Sequence, residues 1–579
     1  MHDQPPVPGR RGFIRQVAGT ALLGAGLGTG VSGCTSTASH GDNNDNTGPM
    51  RFAHGVASGD PLNDRVILWT RVTPGQDNGG ADIAVRWQLA TDASMRSVVS
   101  SGSLTTSARQ DYTVKVDAAG LLPGHVYHYQ FEAGTAKSTI GRTKTLPRAD
   151  VRQVKLAVFS CSNYPFGFFN AYADCALQAD IDAALHLGDY IYEYESTGYG
   201  AEQAKRLDRL SEPREVLVRL EDYRRRYGQY RSDPDLQAVH AAMPFIVVWD
   251  DHEFADDTWR DGSLDHRDSI HGPFKLRKQA AATAYHEWMP VRTPDPAALD
   301  RIYRSFDFGS IVSLHMLDTR LIGRDHQLTM SSYLDADHHF DEARYRSDLY
   351  APQRQMMGAA QMAWLDRQVE QSTARWQMLG QQVLMARMEF PHAVVTKQCS
   401  SADYVALKRR AALDPASVTE QERRWLAGPS LPCYFDSWDG YQSERERLFD
   451  IMTRHRKNMV VLAGDTHNAW ASDLFDASGR QVGVEFATPG VTSPGMEGAY
   501  PGTNPDEVAA MMTEMIAPLY YAQTSKRGYL IVTASHEQVR CDFRFVDTVS
   551  SHAYTAAVER SLRTVPGPGN RKLEECPPV

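Results

Sequence analysis

The sequence predicts an α/β protein preceded by a small all-β domain. From about Met50 to Pro147, short alternating or β-rich runs are separated by Pro/Gly turns, which is typical of an immunoglobulin- or fibronectin-like sandwich. From Val154 onward, apolar strand-like runs are interleaved with segments of helical composition, which is typical of α/β folds. At 579 residues the chain is too long for one ordinary core, so we expect two or more domains.

The first domain contains short strands but no pattern that indicates catalysis. Its predicted strands are Val66–Val72, Ile83–Leu89, Tyr112–Val116 and Val126–Phe131. Trp69 and Trp87 supply large side chains for a sandwich core. His54 and Asp60 have the residue types of metal ligands, but we interpret them as polar loop residues near the domain junction.

The second part of the chain carries the longer helices and the most apolar strands. The predicted helices are Pro213–Gln229, Lys275–Trp288, Ala359–Thr373 and Pro505–Tyr521. Further strands are predicted at Ile311–Leu317, Trp376–Met385 and Gly528–Ala534. No internal repeat stands out.

Composition and charge narrow the class of protein. A hydrophobic fraction of 42% and a charged fraction of 23% are those of a folded globular protein. The formal net charge of -10 argues against a nucleic-acid partner, which favours a basic surface. A phosphate substrate stays compatible with this charge, because bound cations invert the local field. Nothing in the sequence demands more than a monomer.

The N-terminus has the features of an export signal. Arg10-Arg11-Gly12-Phe13-Ile14 is a twin-arginine core, and the apolar run Val17–Val31 that follows is shorter than the ~20 residues of a membrane-spanning helix. Val31-Ser32-Gly33-Cys34 resembles a bacterial lipobox, although a plain secretory signal with an incidental cysteine stays open. We therefore expect a signal peptide over 1–33 and a flexible linker over 34–49. The protein would be exported to the periplasm or the exterior, with a possible membrane tether through a lipidated Cys34.

Six cysteines remain for the folded part of the chain. In an oxidising compartment Cys399 can pair with Cys433, and Cys541 with Cys576, but the sequence does not determine disulfide connectivity. Cys161 stands apart because it follows a strand-like run and lies between two serines. We therefore predict that Cys161 binds a metal.

Four apolar, strand-like runs each end at residues of metal-ligand type. In chain order these are Val154–Phe159 with Cys161, Ala183–Leu187 with Asp189 and Tyr192, Phe245–Trp249 with Asp250, Asp251 and His252, and Met459–Ala463 with Asp465 and His467. Polar residues at the carboxyl ends of buried strands are how α/β proteins build a site at one sheet edge. The mixture of thiol, carboxylate, phenol and imidazole predicts a two-metal hydrolytic centre.

Asp250-Asp251-His252-Glu253 is the sharpest of these signals. Three carboxylates beside one imidazole repel one another strongly in a dry pocket, and a bound cation removes that penalty. Asp256 and Asp257 extend the acidic patch, and we expect them beside the ligands or on the surface.

The donor types also indicate which metals are bound. Thiolate from Cys161, phenolate from Tyr192 and imidazole from His467 suit a Lewis-acidic trivalent iron better than Mg²⁺ or Ca²⁺. Carboxylates from Asp189, Asp251 and Asp465 suit Ca²⁺ or a similar hard divalent ion. Asp189 belongs to both sets and is the natural bridge, so metal-activated hydroxide attack on phosphorus is the expected chemistry.

These blocks, in this order, resemble the PhoD-like alkaline phosphatase and phosphodiesterase family of metallophosphoesterases. The matching segments are Phe52–Pro61 with Leu68–Arg71, Ser160-Cys161-Ser162, His186–Tyr192, Trp249–Glu253, Leu317–Arg320, Gly464–His467, Thr488–Pro494 and Arg527-Gly528-Tyr529. The resemblance covers nearly everything after the linker. It implies a catalytic domain built as a sandwich of two mixed β-sheets flanked by helices. We place an N-terminal sandwich over 50–148, the catalytic domain over 152–550 and a C-terminal tail over 551–579.

The resemblance also implies a ligand set. Cys161, Asp189, Tyr192 and His467 would hold Fe³⁺, while Asp189, Asp251 and Asp465 would hold Ca²⁺. Asp250 would contribute to a second calcium or orient His252. The wider superfamily opens its site with an Asp-x-His block, whereas this chain has Ser160-Cys161-Ser162, which favours the iron–thiolate variant.

Four further residues complete the expected site. His252 matches the histidine that stabilises charge or protonates the leaving oxygen in metallophosphoesterases. Arg320 is the candidate phosphate clamp, because a guanidinium fits two phosphate oxygens; pairing with the Asp318 turn is the alternative. Gln381 and Gln382 are placed near the metal edge.

Three functions are consistent with these residues. The first is an exported phosphomonoesterase and phosphodiesterase of broad range, and the second is a phospholipase D-like diesterase held near lipid by Cys34. The third is a non-catalytic extracellular binding protein with structural metals. A spare imidazole at His252 argues against the third, because structural metal sites have no use for one.

Overall fold

The computed structural model describes residues 49–148, 151–293, 295–335 and 339–578. The predicted signal peptide, the lipobox with Cys34 and the linker up to residue 48 lie outside the described residues. In the described part, no helix is long and apolar enough to cross a membrane.

Strands make up most of the framework. They are β1 (Val56–Gly59), β2 (Arg65–Arg71), β3 (Ile83–Ala90), β4 (Val98–Thr106), β5 (Thr113–Ala119), β6 (Val126–Ala133), β7 (Ala136–Lys137), β8 (Gly141–Lys144), β9 (Val154–Phe159), β10 (Ala183–His186), β11 (Phe245–Val247), β12 (Arg304–Phe308), β13 (Val312–Met316), β14 (Trp376–Gly380), β15 (Glu389–Pro391), β16 (Ser430–Pro432), β17 (Asn458–Ala463), β18 (Ala469–Phe475), β19 (Gln481–Ala487), β20 (Leu519–Gln523), β21 (Arg527–Ala534), β22 (Val539–Val546), β23 (Ala556–Thr564) and β24 (Glu574–Glu575).

Helices cover the outer faces and the connections. They are α1 (Asn170–Ala176), α2 (Ala201–Leu207), α3 (Leu220–Arg231), α4 (Pro234–Ala242), α5 (Asp268–His271), α6 (Phe274–Trp288), α7 (Glu342–Leu349), α8 (Gly358–Gln371), α9 (His392–Val395), α10 (Ser401–Leu413), α11 (Glu420–Ala427), α12 (Gln442–Arg454) and α13 (Pro505–Met515).

Most predicted elements are confirmed, and the differences lie at their ends. Helices α6 and α8 match their predicted ranges to within two residues. The helix predicted from Pro213 begins only at Leu220, where the Asp222 carboxylate accepts a hydrogen bond from the Arg219 backbone N–H. The helix predicted to reach Tyr521 ends at Met515, and the chain continues as β20, because the edge of a sheet recruits that segment.

Two large mixed sheets contain most of the strands. The first has ten strands in the order β24-β23-β22-β21-β9-β10-β11-β1-β2-β5, and the second has seven in the order β12-β13-β14-β17-β19-β18-β20. Strands β9, β10 and β11 are parallel to one another, as are β13, β14, β17 and β19.

The two sheets face each other across the main hydrophobic core. Leu156 and Val158 of the first sheet belong to the same buried cluster as Met378 and Val460 of the second. On the outer face of the second sheet, Leu379 and neighbouring residues pack with side chains of α8 and α12. The predicted sandwich of two mixed sheets flanked by helices is therefore confirmed.

The N-terminal and C-terminal segments are both integrated into the ten-stranded sheet. Strands β3, β4, β6 and β7, with β8 paired to β6, form a separate five-stranded layer, but β1, β2 and β5 continue the large sheet through β11. The predicted N-terminal sandwich thus shares one of its layers with the next domain. In the segment expected as a C-terminal tail, the described residues 551–578 contain β23 and β24, which pair into the same sheet.

The junction between the two domains is closed by a buried ion pair. Asp60, 1% exposed, accepts a hydrogen bond from Arg304 Nε at 2.8 Å and from the Arg292 backbone N–H at 2.7 Å. These contacts are structural, and they place Asp60 at the domain junction, where the sequence interpretation put it.

Asp60→Asn is expected to lower the free energy of unfolding by about 3 kcal/mol or more, because it leaves the Arg304 charge without its buried ionised partner. Asparagine is chosen because it tolerates the left-handed backbone of Asp60, whose φ is 42°. The matched control is Asp64→Asn. The Asp64 side chain is 45% exposed and pairs with Arg65, whose side chain is 39% exposed, so that loss of this pair is expected to cost about 1 kcal/mol or less. Urea unfolding of both variants measures the difference, and equal losses would contradict the structural role of Asp60.

The six cysteines in the described ranges are free thiols. Neither of the two pairings considered from sequence, Cys399 with Cys433 or Cys541 with Cys576, is present as a disulfide.

Candidate metal centre

The ligand-type residues converge where strands of both sheets end. Parallel pairing aligns Phe159 with His186 and Leu185 with Ile246, so β9, β10 and β11 release their following residues at one edge. Strand β17, which precedes Asp465, belongs to the second sheet. The site therefore lies between the strand ends of two facing sheets, and the expectation of one sheet edge is wrong in this respect.

Four of the predicted ligands have left-handed backbone conformations. The φ angles are 61° at Cys161, 56° at Asp189, 68° at Asp465 and 62° at His467. This region is uncommon for residues other than glycine, and strained backbone of this kind concentrates at functional sites. The turns after the strands thus hold these side chains in place at a local conformational cost.

Two glycines allow these turns to approach their neighbours closely. A Cβ at Gly188 would lie 2.3 Å from the Cβ of Asp250, and a Cβ at Gly464 would lie 2.4 Å from Ser160 Oγ. No larger residue fits at either position without displacing a strand end. The Gly-Asp pairs seen in the sequence are therefore explained by close packing of the strand ends.

The first donor group combines sulfur, oxygen and nitrogen. Ligand atoms of Cys161, Asp189 and His467 lie within 4.8 Å of one another, and all three residues are buried. The Tyr192 hydroxyl donates to Asp189 Oδ2 at 3.1 Å and lies 3.3 Å from His467 Nε2. His467 Nδ1 donates to the Pro494 carbonyl at 2.8 Å, which leaves the lone pair of Nε2 directed at the group. The structure brings these four predicted residues together.

The second donor group consists of carboxylates around a guanidinium. Oxygens of Asp250, Asp251 and Asp465 lie within 4.8 Å of one another, and Arg320 is fully buried between them. Arg320 Nη2 lies 3.1 Å from Asp465 Oδ1 and 3.8 Å from Asp251 Oδ1, and its Nε donates to Asp250. Burial raises the pKa of Asp250 well above its usual range, and the neighbouring carboxylates add to this effect against the opposing charge of Arg320.

The structure does not show the alternative considered for Arg320, a guanidinium paired with the Asp318 turn. The Asp318 carboxylate instead accepts the Arg320 backbone N–H at 2.9 Å. A fourth carboxylate, Asp436, accepts from Nη1 at 2.8 Å. Because the guanidinium is occupied by acidic groups in this structure, its observed role is to neutralise them.

A third acidic group adjoins the second. Oxygens of Asp251, Asp256 and Asp257 lie within 4.8 Å of one another, and the Asp257 backbone N–H donates to Asp251 Oδ2 at 2.7 Å. Both added residues are buried, so a surface position for them is excluded. Burial raises the pKa of Asp256 to about 7; the charge of His252 opposes this effect, and the charges of Asp251 and Glu193 add to it. Among the described residues, Asp257 Oδ1 and Asp436 Oδ2 are buried without a hydrogen-bond partner.

Two glutamates hold the loops of the site. Glu253 accepts the backbone N–H groups of Asp189, Tyr190 and Asp250 at 2.6–3.1 Å, which joins two strand ends. Glu193 Oε2 lies 2.8 Å from His252 Nδ1. The pKa of Glu193 is lowered, because the charge of His252 and other groups outweighs the effect of burial.

Sequence reasoning did not identify Glu193, Tyr434 or Asp436. The Tyr434 hydroxyl donates to Asp465 Oδ2, and Asp436 contacts Arg320. Both follow β16, a strand of three residues that is too short to be predicted from an apolar run in the sequence. Glu193 directly follows Tyr192, and this adjacency was the one available signal.

The structure does not place the side chains of Gln381 and Gln382 at the metal edge, where we expected them. The Gln382 amide donates to the carbonyls of Trp249 and Leu317, and its oxygen accepts from Thr319. Gln381 bonds to Trp438 and to the Val383 carbonyl. They tie strand ends together and do not reach the donor groups.

The fold and the site define a hydrolase of the α/β sandwich type with clustered metal-ligand residues between two sheets. Comparison with known proteins identifies one family for both parts of the chain. The family model described as PhoD-like phosphatase matches residues 156–543, and that of the PhoD-like phosphatase N-terminal domain matches residues 36–147. The chain belongs to the PhoD-like phosphatase family and is a phosphoesterase.

Two individual proteins show the extent of this similarity. Alkaline phosphatase D of Bacillus subtilis (strain 168) is 35% identical over 514 residues, which covers 86% of this chain and 78% of that protein. The solved structure of PhoD superposes with a TM-score of 0.72 and 31% identity, covering 92% of this chain and 93% of that one.

Proposed function

We propose that this protein is an exported phosphoric monoester and diester hydrolase that works with Fe³⁺ and one or two Ca²⁺ ions. The observation that carries the proposal is the sharing of Asp189 and Asp251 between neighbouring donor groups. Asp189 belongs to the thiol–imidazole group, and both aspartates belong to a group with His252. Such sharing is what a bridged metal pair requires.

The donor sets fit these ions. Cys161, Asp189, Tyr192 and His467 would hold the ferric ion, because thiolate and phenolate suit a Lewis-acidic metal. Asp189, Asp251 and Asp465 would hold calcium, which prefers hard oxygen ligands. Asp250 would contribute to a second calcium, and the buried oxygens of Asp257 and Asp436 that lack hydrogen-bond partners are suitable further ligands. When bound, the ions would activate a water molecule and stabilise negative charge on the phosphate.

The side chains of the protein supply the remaining chemistry. A ligand atom of His252 lies within 4.8 Å of the carboxylate oxygens of Asp189 and Asp251, so a phosphate ester held at the donor groups would have its leaving oxygen near the imidazole. His252 would donate a proton to that oxygen. Arg320 would balance the carboxylate charge and take part in phosphate binding once cations share its acidic partners.

Export by the twin-arginine route rests on the N-terminal sequence. That route carries folded proteins, which agrees with a metal centre assembled from distant strand ends. If Cys34 is lipidated, the enzyme would be tethered beside membrane lipid. This tether keeps a phospholipase D-like diesterase as the second candidate function.

Metal content and substrate range together test the proposal. The mature protein is expected to contain iron and calcium and to hydrolyse both an aryl phosphate monoester and an aryl phosphate diester. Chelation of calcium should abolish turnover, and calcium should restore it, because the divalent positions lose their ions. Cleavage of phosphatidylcholine with negligible monoester activity would establish the second candidate. Metal-loaded protein without turnover on any phosphate ester would contradict catalysis.

A further inference from the structure

The imidazole of His252 is held on three sides by one short segment, Tyr192–Tyr194. The Tyr192 ring lies 4.2 Å from the imidazole centroid, and the Tyr194 ring packs edge-on at 5.2 Å. Between them, Glu193 Oε2 lies 2.8 Å from His252 Nδ1. The residue that supplies a candidate iron ligand is therefore followed directly by the residue that contacts the imidazole.

The Glu193 carboxylate is itself fixed. Its second oxygen, Oε1, accepts the backbone N–H of Asp256 at 2.6 Å, and the side chain is 1% exposed. Both oxygens thus have a partner, and no solvent competes for them. A carboxylate immobilised in this way determines the orientation of the ring it contacts.

A buried arginine holds the segment from behind. Arg226, 1% exposed, donates to the carbonyls of Tyr192 and Tyr194 on either side of Glu193. It also donates to the carbonyls of Glu212 and Pro213 at 2.9 Å and 3.0 Å. Because four carbonyls share one guanidinium, the position of Glu193 is determined by the fold.

The opposite nitrogen of the imidazole has a different environment. His252 Nε2 lies 3.8 Å from Asp256 Oδ1, beyond hydrogen-bonding distance. A carboxylate can only accept from Nδ1, so Nδ1 bears a hydrogen and Nε2 is the nitrogen left for substrate.

We propose that Glu193 is the positioning residue of His252, holding Nδ1–H so that Nε2 is directed at the leaving oxygen of the phosphate ester. This inference rests on the proposed role of His252. As an oxygen from water bonds to phosphorus and the bond between phosphorus and the leaving oxygen breaks, the doubly protonated imidazole gives its Nε2 proton to the leaving oxygen. The imidazole becomes neutral, while Nδ1–H stays bonded to Glu193. Water restores the proton in the next cycle.

The test uses the dependence of rate on the leaving group. A good leaving group such as 2,4-dinitrophenolate departs without a proton, whereas phenolate requires one, so that a defect in proton donation appears mainly with phenyl phosphate. Glu193→Gln is expected to lower kcat by about 10–100-fold on phenyl phosphate and by less than about threefold on dinitrophenyl phosphate. Iron and calcium content should be unchanged.

Two further variants sharpen the result. Glu195→Gln makes the same substitution two residues away, outside the contact with His252, and should retain wild-type rates on both substrates. The double variant Glu193→Gln/His252→Ala should be no slower than His252→Ala alone, because a positioning residue acts only through the group it positions. Glu193→Asp, which keeps the charge, should retain more phenyl phosphatase activity than Glu193→Gln.

The outcomes separate this inference from the proposed function. Equal losses on both substrates, or loss of iron, in Glu193→Gln and Glu193→Asp would overturn the positioning role and show that Glu193 supports the metal loop. If His252→Ala is selective for the poor leaving group and the Glu193 variants are not, the inference fails alone. If His252→Ala is not selective, the proposed proton donation fails with it.

Discussion

Asp189→Asn is expected to abolish iron binding and to lower kcat by about 10³-fold or more. The Asp189 carboxylate is the one group shared between the Cys161–His467 donors and the Asp251–His252 donors. An amide has one oxygen and no charge, so it cannot bridge two cations, and several kcal/mol of charge stabilisation are lost. Metal analysis, the visible charge-transfer band of a ferric thiolate or phenolate site, and turnover of an aryl phosphate measure the effect.

Asp208→Asn is the matched control for this substitution. Asp208 also has a left-handed backbone, with φ of 54° compared with 56° at Asp189, but it is exposed at the end of α2. Asparagine tolerates this conformation, so neither variant suffers from backbone strain. A coloured, fully active Asp189→Asn protein would rule out the bridged metal centre. Loss of iron in both variants would indicate a general effect on folding.

His252→Ala is expected to keep its metals and to lower kcat by about 10²–10⁴-fold, the range of lost acid–base assistance. The imidazole contacts Glu193 and two tyrosine rings, and its removal leaves the Cys161, Asp189 and His467 donors in place. Steady-state kinetics on phenyl phosphate, together with iron and calcium analysis, test this separation of metal binding from chemistry. Full activity in the alanine variant would exclude a catalytic role for His252, and loss of iron would show that the ring supports Tyr192.

Much of the fold was predictable because its signals are local. The apolar run Val154–Phe159 coincides with β9, and the 3.6-residue spacing near Ala359 coincides with α8. Element ends were less predictable, since β14 stops at Gly380 although apolar residues resume at Val383 after two glutamines. That stop depends on the turn required by the site and not on the propensity of the residues.

In the candidate site, too, some groupings were predictable from local sequence and others depended on the tertiary structure. Cys161, Asp189, Tyr192 and His467 were predicted as one group from the ends of three strands, and the structure brings them together. The partners of Arg320 were not predictable, because Asp436 is 116 residues away along the chain. Glu193 carries no signature of its own, and its role depends on the distance to His252 across another strand end.

By itself, the sequence determined which residue types follow each buried strand, since hydrophobic period and turn chemistry are properties of neighbouring residues. It thereby determined the class of chemistry that the strand ends can support. The tertiary structure alone decided which of these side chains share a space. It placed a guanidinium among four carboxylates and a glutamate against an imidazole, because buried charges take whatever opposite charge or proton donor the packing of distant segments brings within a few ångströms.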